Sequence, residues 1–287
     1  MTMPETRKGR ALFAPLAAVL ALAYPAAAAP APQRVVSMNL CTDEMAMLIA
    51  APGQLHSVSF LAADPISSVL APEASRYKAN HGQAEEIFLM QPDLVLAGTY
   101  TTGATVDLLR RLGIRVEQFA PENSFDDIRA GLRRMGEVLG QRQRAEDLVA
   151  DLDRRLAAVK AGDHDGMTAA IYYANSYTSG SGTLIDDVMA KAGLTNIATK
   201  FGYAGMERLP LELLVLSDPD LLVTADRGYS APALAQQGFD HPAFRAQAAL
   251  SGAVDLASRY TICGAPFTAE AVRLLSQGAD ARKAAPK

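Results

Sequence analysis

Glu85 and Glu212 each stand seven residues ahead of a proline, in Glu85-Glu86-Ile87-Phe88-Leu89-Met90-Gln91-Pro92-Asp93-Leu94-Val95-Leu96 and Glu212-Leu213-Leu214-Val215-Leu216-Ser217-Asp218-Pro219-Asp220-Leu221-Leu222-Val223. In both units an apolar helical turn separates the glutamate from the proline, and Pro-Asp opens a short apolar run. The chemistry on offer is ion pairing, since an exposed carboxylate matches a guanidinium in charge and geometry. Either glutamate alone is explained by the helix dipole, which favours acids in a first turn. Two at the same offset, about half a mature chain apart, point to a shared partner carrying paired basic residues.

Other reactive side chains are sparse. The sequence has no Gly-x-Ser-x-Gly elbow, His-Glu-x-x-His helix, Walker loop or Gly-x-Gly-x-x-Gly turn, so no catalytic residue is assigned. Gly180-Ser181-Gly182 precedes a helix and is read either as a phosphate cradle or, by glycine's preference for turns, as a turn. His56, His81, His164 and His241 lack ligand spacing, and no metal site is expected from them. Cys41 and Cys263 are the two cysteines, enough for one disulfide in an oxidising compartment or for two free thiols.

Aromatic placement says more. Trp is absent, and eight of the nine tyrosines lie beyond residue 29. Phe60, Tyr100, Tyr173, Tyr177, Tyr203, Tyr229 and Tyr260 follow expected strands or occupy long loops, and Tyr77 lies ahead of Glu85 with His81. Strand carboxyl ends line the ligand crevice of open α/β sheets. Tyrosine brings an apolar face and a hydroxyl, which suits a bulky, partly polar ligand.

The elements that would position these groups alternate regularly. Strands are expected over 34–38, 58–60, 93–97 and 114–119. Helices fall between them: one capped by Thr42 or Asp43 and running to 50, one over 85–91, and one over 104–112 ending at Gly113. Ser124 caps a helix with Phe125, Ile128, Leu132, Met135 and Leu139 at helical spacing, and a second long helix follows over 141–160. Strand 167–174, a helix to 192, helix 210–217, strand 220–225 and strand 253–257 then repeat the alternation. Pro266 opens a last helix, with the tail after Gln277 expected to fray. This pattern is α/β with mostly parallel sheets in two Rossmann-like lobes. The bounds are 34–140 for the N-terminal lobe, 141–162 for an interdomain helix and 167–278 for the C-terminal lobe.

The N-terminus reads as an export signal over residues 1–29. Arg7, Lys8 and Arg10 precede an apolar run over 11–23, and small residues offer cleavage near Ala28 or Ala29. Removing that segment takes three basic and one acidic residue from a net charge of −4, leaving about −6. With that charge and no basic stripe, nucleic acid is not an expected partner. The expected location is the periplasm.

Arg34-Val35-Val36-Ser37, the paired Glu-x6-Pro-Asp units and the run from Gly182-Thr183-Leu184-Ile185-Asp186-Asp187 through Ala192-Gly193-Leu194-Thr195-Asn196-Ile197 carry a resemblance. The chain resembles the substrate-binding proteins of metal-chelate ABC importers, the class III periplasmic binding proteins of iron-siderophore, haem and vitamin B12 (cobalamin) uptake. Its layout is most similar to the vitamin B12 branch. The resemblance implies two lobes joined by one long helix, a ligand held between them, and less opening than in hinge binders with two or three crossing strands. It also implies that Glu85 and Glu212 dock on arginines of a permease dimer served by ATPase subunits. Where the family reads Ser-Pro or similar after the first strand, this chain has Met38-Asn39-Leu40-Cys41, so Asn39 and Cys41 join the ligand-contacting candidates. Facing lobes would let Cys41 and Cys263 bridge the cleft or meet a metal centre. The expected protein is a monomeric receptor with no cofactor besides its transported chelate. The alternative is an exported α/β enzyme with Cys41 or Cys263 as a cleft nucleophile.

Overall fold

The computed structural model describes residue 2 and residues 30–159, 164–225 and 234–285, and the compact unit is Ala31–Lys287. The expected export signal lies outside the described residues, residue 2 apart, as do Tyr229 and the end of the expected interdomain helix. In the first half, β1 (Val35–Ser37), α1 (Leu40–Ile49), β2 (Leu55–Ser59), α2 (Ala71–Ala74), β3 (Lys78–Asn80), α3 (Ala84–Leu89), β4 (Leu94–Gly98), α4 (Gly103–Arg111) and β5 (Val116–Phe119) follow in order. Two helices, α5 (Phe125–Leu139) and α6 (Arg142–Ala158), lead onward. The second half contains β6 (Thr168–Tyr172), β7 (Tyr177–Ser179), α7 (Leu184–Lys191), β8 (Thr195–Asn196), α8 (Ile197–Lys200), β9 (Met206–Arg208), α9 (Leu211–Ser217) and β10 (Leu221–Thr224). It closes with α10 (Gln237–Asp240), α11 (Pro242–Leu250), β11 (Gly252–Asp255) and α12 (Ala269–Ala284).

The strands form two separate parallel sheets, ordered β3-β2-β1-β4-β5 and β11-β10-β6-β8, plus an antiparallel β7–β9 ribbon. Alternate residues serve opposite faces of each strand. Val36, Val95 and Ala97 pack outward on α3 and α4, and Ala170, Tyr172 and Leu222 pack outward on α8, α9, α10 and α11. Their neighbours Val35, Leu94, Leu96, Ala169, Ile171, Leu221 and Val223 face inward. These join one buried cluster that also takes in α1, α5, α6, α7 and α12. Two lobes thus share a single core.

The doubled sequence unit is doubled in space. The residue before each proline, Gln91 and Asp218, has a left-handed backbone (φ 52° and 41°), and the proline disfavours any continuation of the helix through it. The following aspartates repeat one task. Asp93 accepts from the backbone N–H groups of Gln33 (2.6 Å) and Arg34 (3.0 Å), at the start of β1. Asp220 accepts from the N–H (2.8 Å) and hydroxyl (3.0 Å) of Thr168, which starts β6. Each Pro-Asp therefore begins one strand and holds the beginning of its parallel neighbour. β4 pairs with β1, and β10 pairs with β6.

Between the lobes, Ser124 caps α5 through the Asp127 N–H (3.1 Å), and Gly140 ends it at φ 70°. A Cβ on Gly136 would lie 2.4 Å from that of Ala145, so glycine lets α5 and α6 approach. At 17 residues, α6 extends about 25 Å.

Two local expectations are corrected. Asn39, not Thr42 or Asp43, caps α1, its side chain accepting from the N–H groups of Cys41 (3.1 Å) and Thr42 (3.5 Å). Thr42 instead turns its hydroxyl to the Asn39 carbonyl and to Ser37, while Asp43 is buried against Ser59. The last helix continues to Ala284 rather than fraying after Gln277, because its inner face still buries Ala279 on the core.

Candidate functional site

The loops at the carboxyl ends of strands in both sheets enclose two adjoining hollows. The smaller, about 100 Å³, is lined by Asn39, Cys41 and Thr42 after β1, by Gly98 to Tyr100 at the end of β4, and by Phe119 to Glu122 at the end of β5. The larger, about 510 Å³, runs from Pro121, Glu122 and Asn123 to Tyr173 and Ala174 after β6, Tyr177 in β7 and Met206 in β9. Ser179 at the end of β7, Thr183 to Ile185 at the start of α7, and Ser258, Thr261 and Ile262 after β11 complete it. Pro121 and Glu122 belong to both hollows. This crevice outside the strand ends is where open α/β sheets bind ligands.

Of the sequence-derived candidates, Asn39, Cys41, Tyr100, Tyr173 and Tyr177 line the crevice. Tyr177 lies under the Arg208 guanidinium, 5.4 Å from its ring centre, so a cation stands beside the larger hollow. The other candidates among the described residues line neither hollow. Phe60 is exposed and stacks on His81 at 5.3 Å. Tyr77 packs against the shared core, and Tyr203 packs beside Phe201 with ring centres 5.9 Å apart. Tyr260 sits in the turn that leads to the lining residues Thr261 and Ile262.

Cys41 and Cys263 form a disulfide with Cα atoms 5.0 Å apart. The bond joins the first turn of α1 in one lobe to the segment ahead of α12 in the other. Neither thiol is free to attack a substrate, which removes the cysteine-nucleophile reading. Two further ties cross nearby. The Phe125 N–H donates to Asp187 of α7 (2.7 Å), and Arg259 donates to the Pro65 carbonyl (3.1 Å).

Among the lining residues the sequence did not single out, Glu122 is the buried acid. A Cβ on Gly264 would come within 2.5 Å of the Glu122 Cβ and 2.6 Å of Ile128, so glycine allows the lobes to meet there. Burial pushes the Glu122 carboxyl up to about 7, although the Gly264 backbone opposes the shift. Its Oε2 has no hydrogen-bond partner among the described residues. Its place just past the β5 carboxyl end, beside Pro121, was the available signal. Behind the crevice, burial also raises Asp43 to about 6 and Glu44 to about 7, against hydrogen bonds from Ser59, Ser68 and Val69.

The remaining sequence features have structural roles. Gly180-Ser181-Gly182 is a turn, in which a Cβ on Gly180 would lie 2.2 Å from the Tyr203 carbonyl oxygen. His164 is buried between the Ala192 carbonyl (2.8 Å) and Asp280 (2.9 Å). Among the described residues, no group of three or more His, Cys, Asp or Glu is placed to hold a metal ion.

A family model described as periplasmic binding protein matches residues 35–251. The chain belongs to that family. Membership makes it a binding protein rather than an enzyme. A cobalamin-binding protein of Halobacterium salinarum is 30% identical to this periplasmic binding protein over 209 residues, covering 68% of this chain and 55% of the relative. An uncharacterised ABC transporter substrate-binding lipoprotein of Bacillus subtilis is 24% identical over 153 residues, covering 50% of this chain and 48% of that protein. The chain thus spans about half the length of the curated relatives it matches. Among solved structures, the apo periplasmic haem-binding protein of Roseiflexus sp. RS-1 superposes with a TM-score of 0.68 at 23% identity, over 86% of this chain and 99% of that one. The periplasmic vitamin B12-binding protein of Vibrio cholerae gives 0.66 at 18% identity, over 88% and 99%. At those identities the two structures speak for the fold, two α/β lobes of the class III type.

Proposed function

We propose that this periplasmic binding protein captures a metal chelate, an iron complex or a corrinoid, between its lobes and delivers it to an ABC permease dimer with ATPase subunits. The carrying observation is the crevice itself, where Tyr173 and Tyr177 line the larger hollow of about 510 Å³ and Tyr100 lines the smaller one that adjoins it. A flat chelate with polar edges matches rings that also carry hydroxyls. Cobalamin is the first ligand to try, given the Halobacterium relative's name. Residues 1–29 serve as the export signal, and the mature receptor works as a periplasmic monomer.

Titration with cyanocobalamin, haemin and a ferric hydroxamate siderophore, followed by absorbance and by tyrosine fluorescence, tests the reading. One of the three should bind saturably, and Tyr173→Ala with Tyr177→Ala should weaken that binding about tenfold or more. Failure of all three to bind would overturn the proposal.

Delivery runs through Glu85 and Glu212, exposed in the first turns of α3 and α9 and held by no ion pair among the described residues. Glu85→Lys with Glu212→Lys should abolish chelate uptake by whole cells and leave affinity for the chelate unchanged. Uptake at the normal rate in that variant would remove the docking role.

A further inference from the structure

The two glutamates are not the only matched feature of α3 and α9. Two residues on from each, Ile87 and Leu214 are fully buried and anchor their helix on the outer face of its sheet. Three and four residues on, the side chains face solvent. Phe88 is 46% and Leu89 80% exposed, while Val215 is 37% and Leu216 79% exposed. The i, i+3 and i+4 positions share one face of a helix. Each short helix therefore presents a carboxylate and two large apolar groups together.

Beside each apolar pair lies a shallow hollow. Leu89 borders one of about 340 Å³ with Phe88, Pro92 and Ile114. Leu216 borders one of about 420 Å³ with Ile197, Phe201 and Leu213. Single exposed leucines are ordinary on protein surfaces. Here the exposure, the offset from an unpaired glutamate and the neighbouring hollow all occur twice, once per lobe, on helices that precede equivalent strands. Fold stability does not require an outward leucine at either place.

We propose that Leu89 and Leu216, flanked by Phe88 and Val215, are apolar docking knobs, and that the partner is a two-fold membrane protein dimer presenting an apolar socket beside each basic residue. The inference rests on the docking role of Glu85 and Glu212 and adds a division of labour to it. The carboxylates steer the encounter and set its salt dependence. The leucines bury apolar surface once contact is made and so govern dissociation. Charge complementarity fixes which sites face the permease, and the duplicated offset fixes its two-fold character.

The test uses the full mature chain and its cognate transporter reconstituted in lipid nanodiscs, with association and dissociation followed at low and high ionic strength. Leu89→Ser with Leu216→Ser should weaken binding about tenfold or more, chiefly through faster dissociation, and keep the salt dependence of the parent. Glu85→Gln with Glu212→Gln should slow association and flatten the salt dependence. Unchanged melting temperature and chelate affinity certify that both variants are folded. If the leucine variant binds like the parent while the glutamine variant is impaired, the apolar knobs are refuted and the docking glutamates stand. If neither variant is impaired, the docking surface itself is misassigned and the proposal falls with it. Equal binding of the parent to empty nanodiscs would overturn the proposal in favour of contact with lipid.

Discussion

Replacing Cys41 and Cys263 together by serine lowers the melting temperature by about 10–20 °C. The bond spans 222 residues of sequence. Closing a loop of that length removes about 5 kcal/mol of chain entropy from the unfolded state in the simplest treatment. A chain of this size loses about 2–4 °C per kcal/mol. Position adds to length, because the bridge connects α1 of one lobe to the segment before α12 of the other, at the floor of the crevice. Reductant added to the parent should reproduce the shift and leave the serine variant unmoved. Melting followed by circular dichroism checks both. A loss of only a degree or two would mean that the shared core, not the disulfide, holds the lobes together.

The second large effect is a fall in stability as pH rises from 5 to 8. Asp43, Glu44 and Glu122 are buried, and burial raises their carboxyls from 3.8, 4.5 and 4.5 to about 6, 7 and 7. A group whose pKa is higher in the folded state holds its proton there while the unfolded chain releases it. Its stabilising contribution is complete below the unfolded pKa and is lost as pH climbs to the folded one. The affected window is therefore about pH 4 to 7. Each glutamate contributes about 2 kcal/mol of the change between pH 5 and 8. One oxygen of each carboxyl has no partner among the described residues, so the hydrogen bonds the three groups do accept offset only part of the desolvation of the charged forms. Thermal melts at pH 5, 6, 7 and 8 should decline steadily. Glu44→Gln and Glu122→Gln should each flatten the profile. A melting temperature that rises with pH would contradict this account.

The doubled Glu-x6-Pro-Asp unit was legible because its physics is local. A proline forces the turn, and an apolar run after it makes a central parallel strand. The aspartate's hold on the neighbouring strand start was not legible, since it joins residues about 60 positions apart in one lobe and 52 in the other. β3, β8 and the β7–β9 ribbon also escaped notice. They are two or three residues long, and Lys78–Asn80 is an edge strand whose one apolar side chain, that of Ala79, gives no apolar run.

Tyrosines after strands pointed to the right end of the sheets but could not be sorted. Tyr173 and Tyr177 reach the crevice, whereas Tyr203 in a comparable loop packs on Phe201. Sequence gives the loop, and only packing decides which way its ring turns. Glu122 went unnoticed because acids in loops are normally solvated. The closeness of Gly264, which buries it, comes from the opposite lobe.

The buried cluster threaded through both sheets has a consequence for motion of the two halves. Swinging the halves apart would strip that interior and expose it to water, a cost that opposes any gape like that of a bivalve shell. For the proposed chelate, that favours passage by small yielding at the rim, where Met206 and Ile262 are exposed.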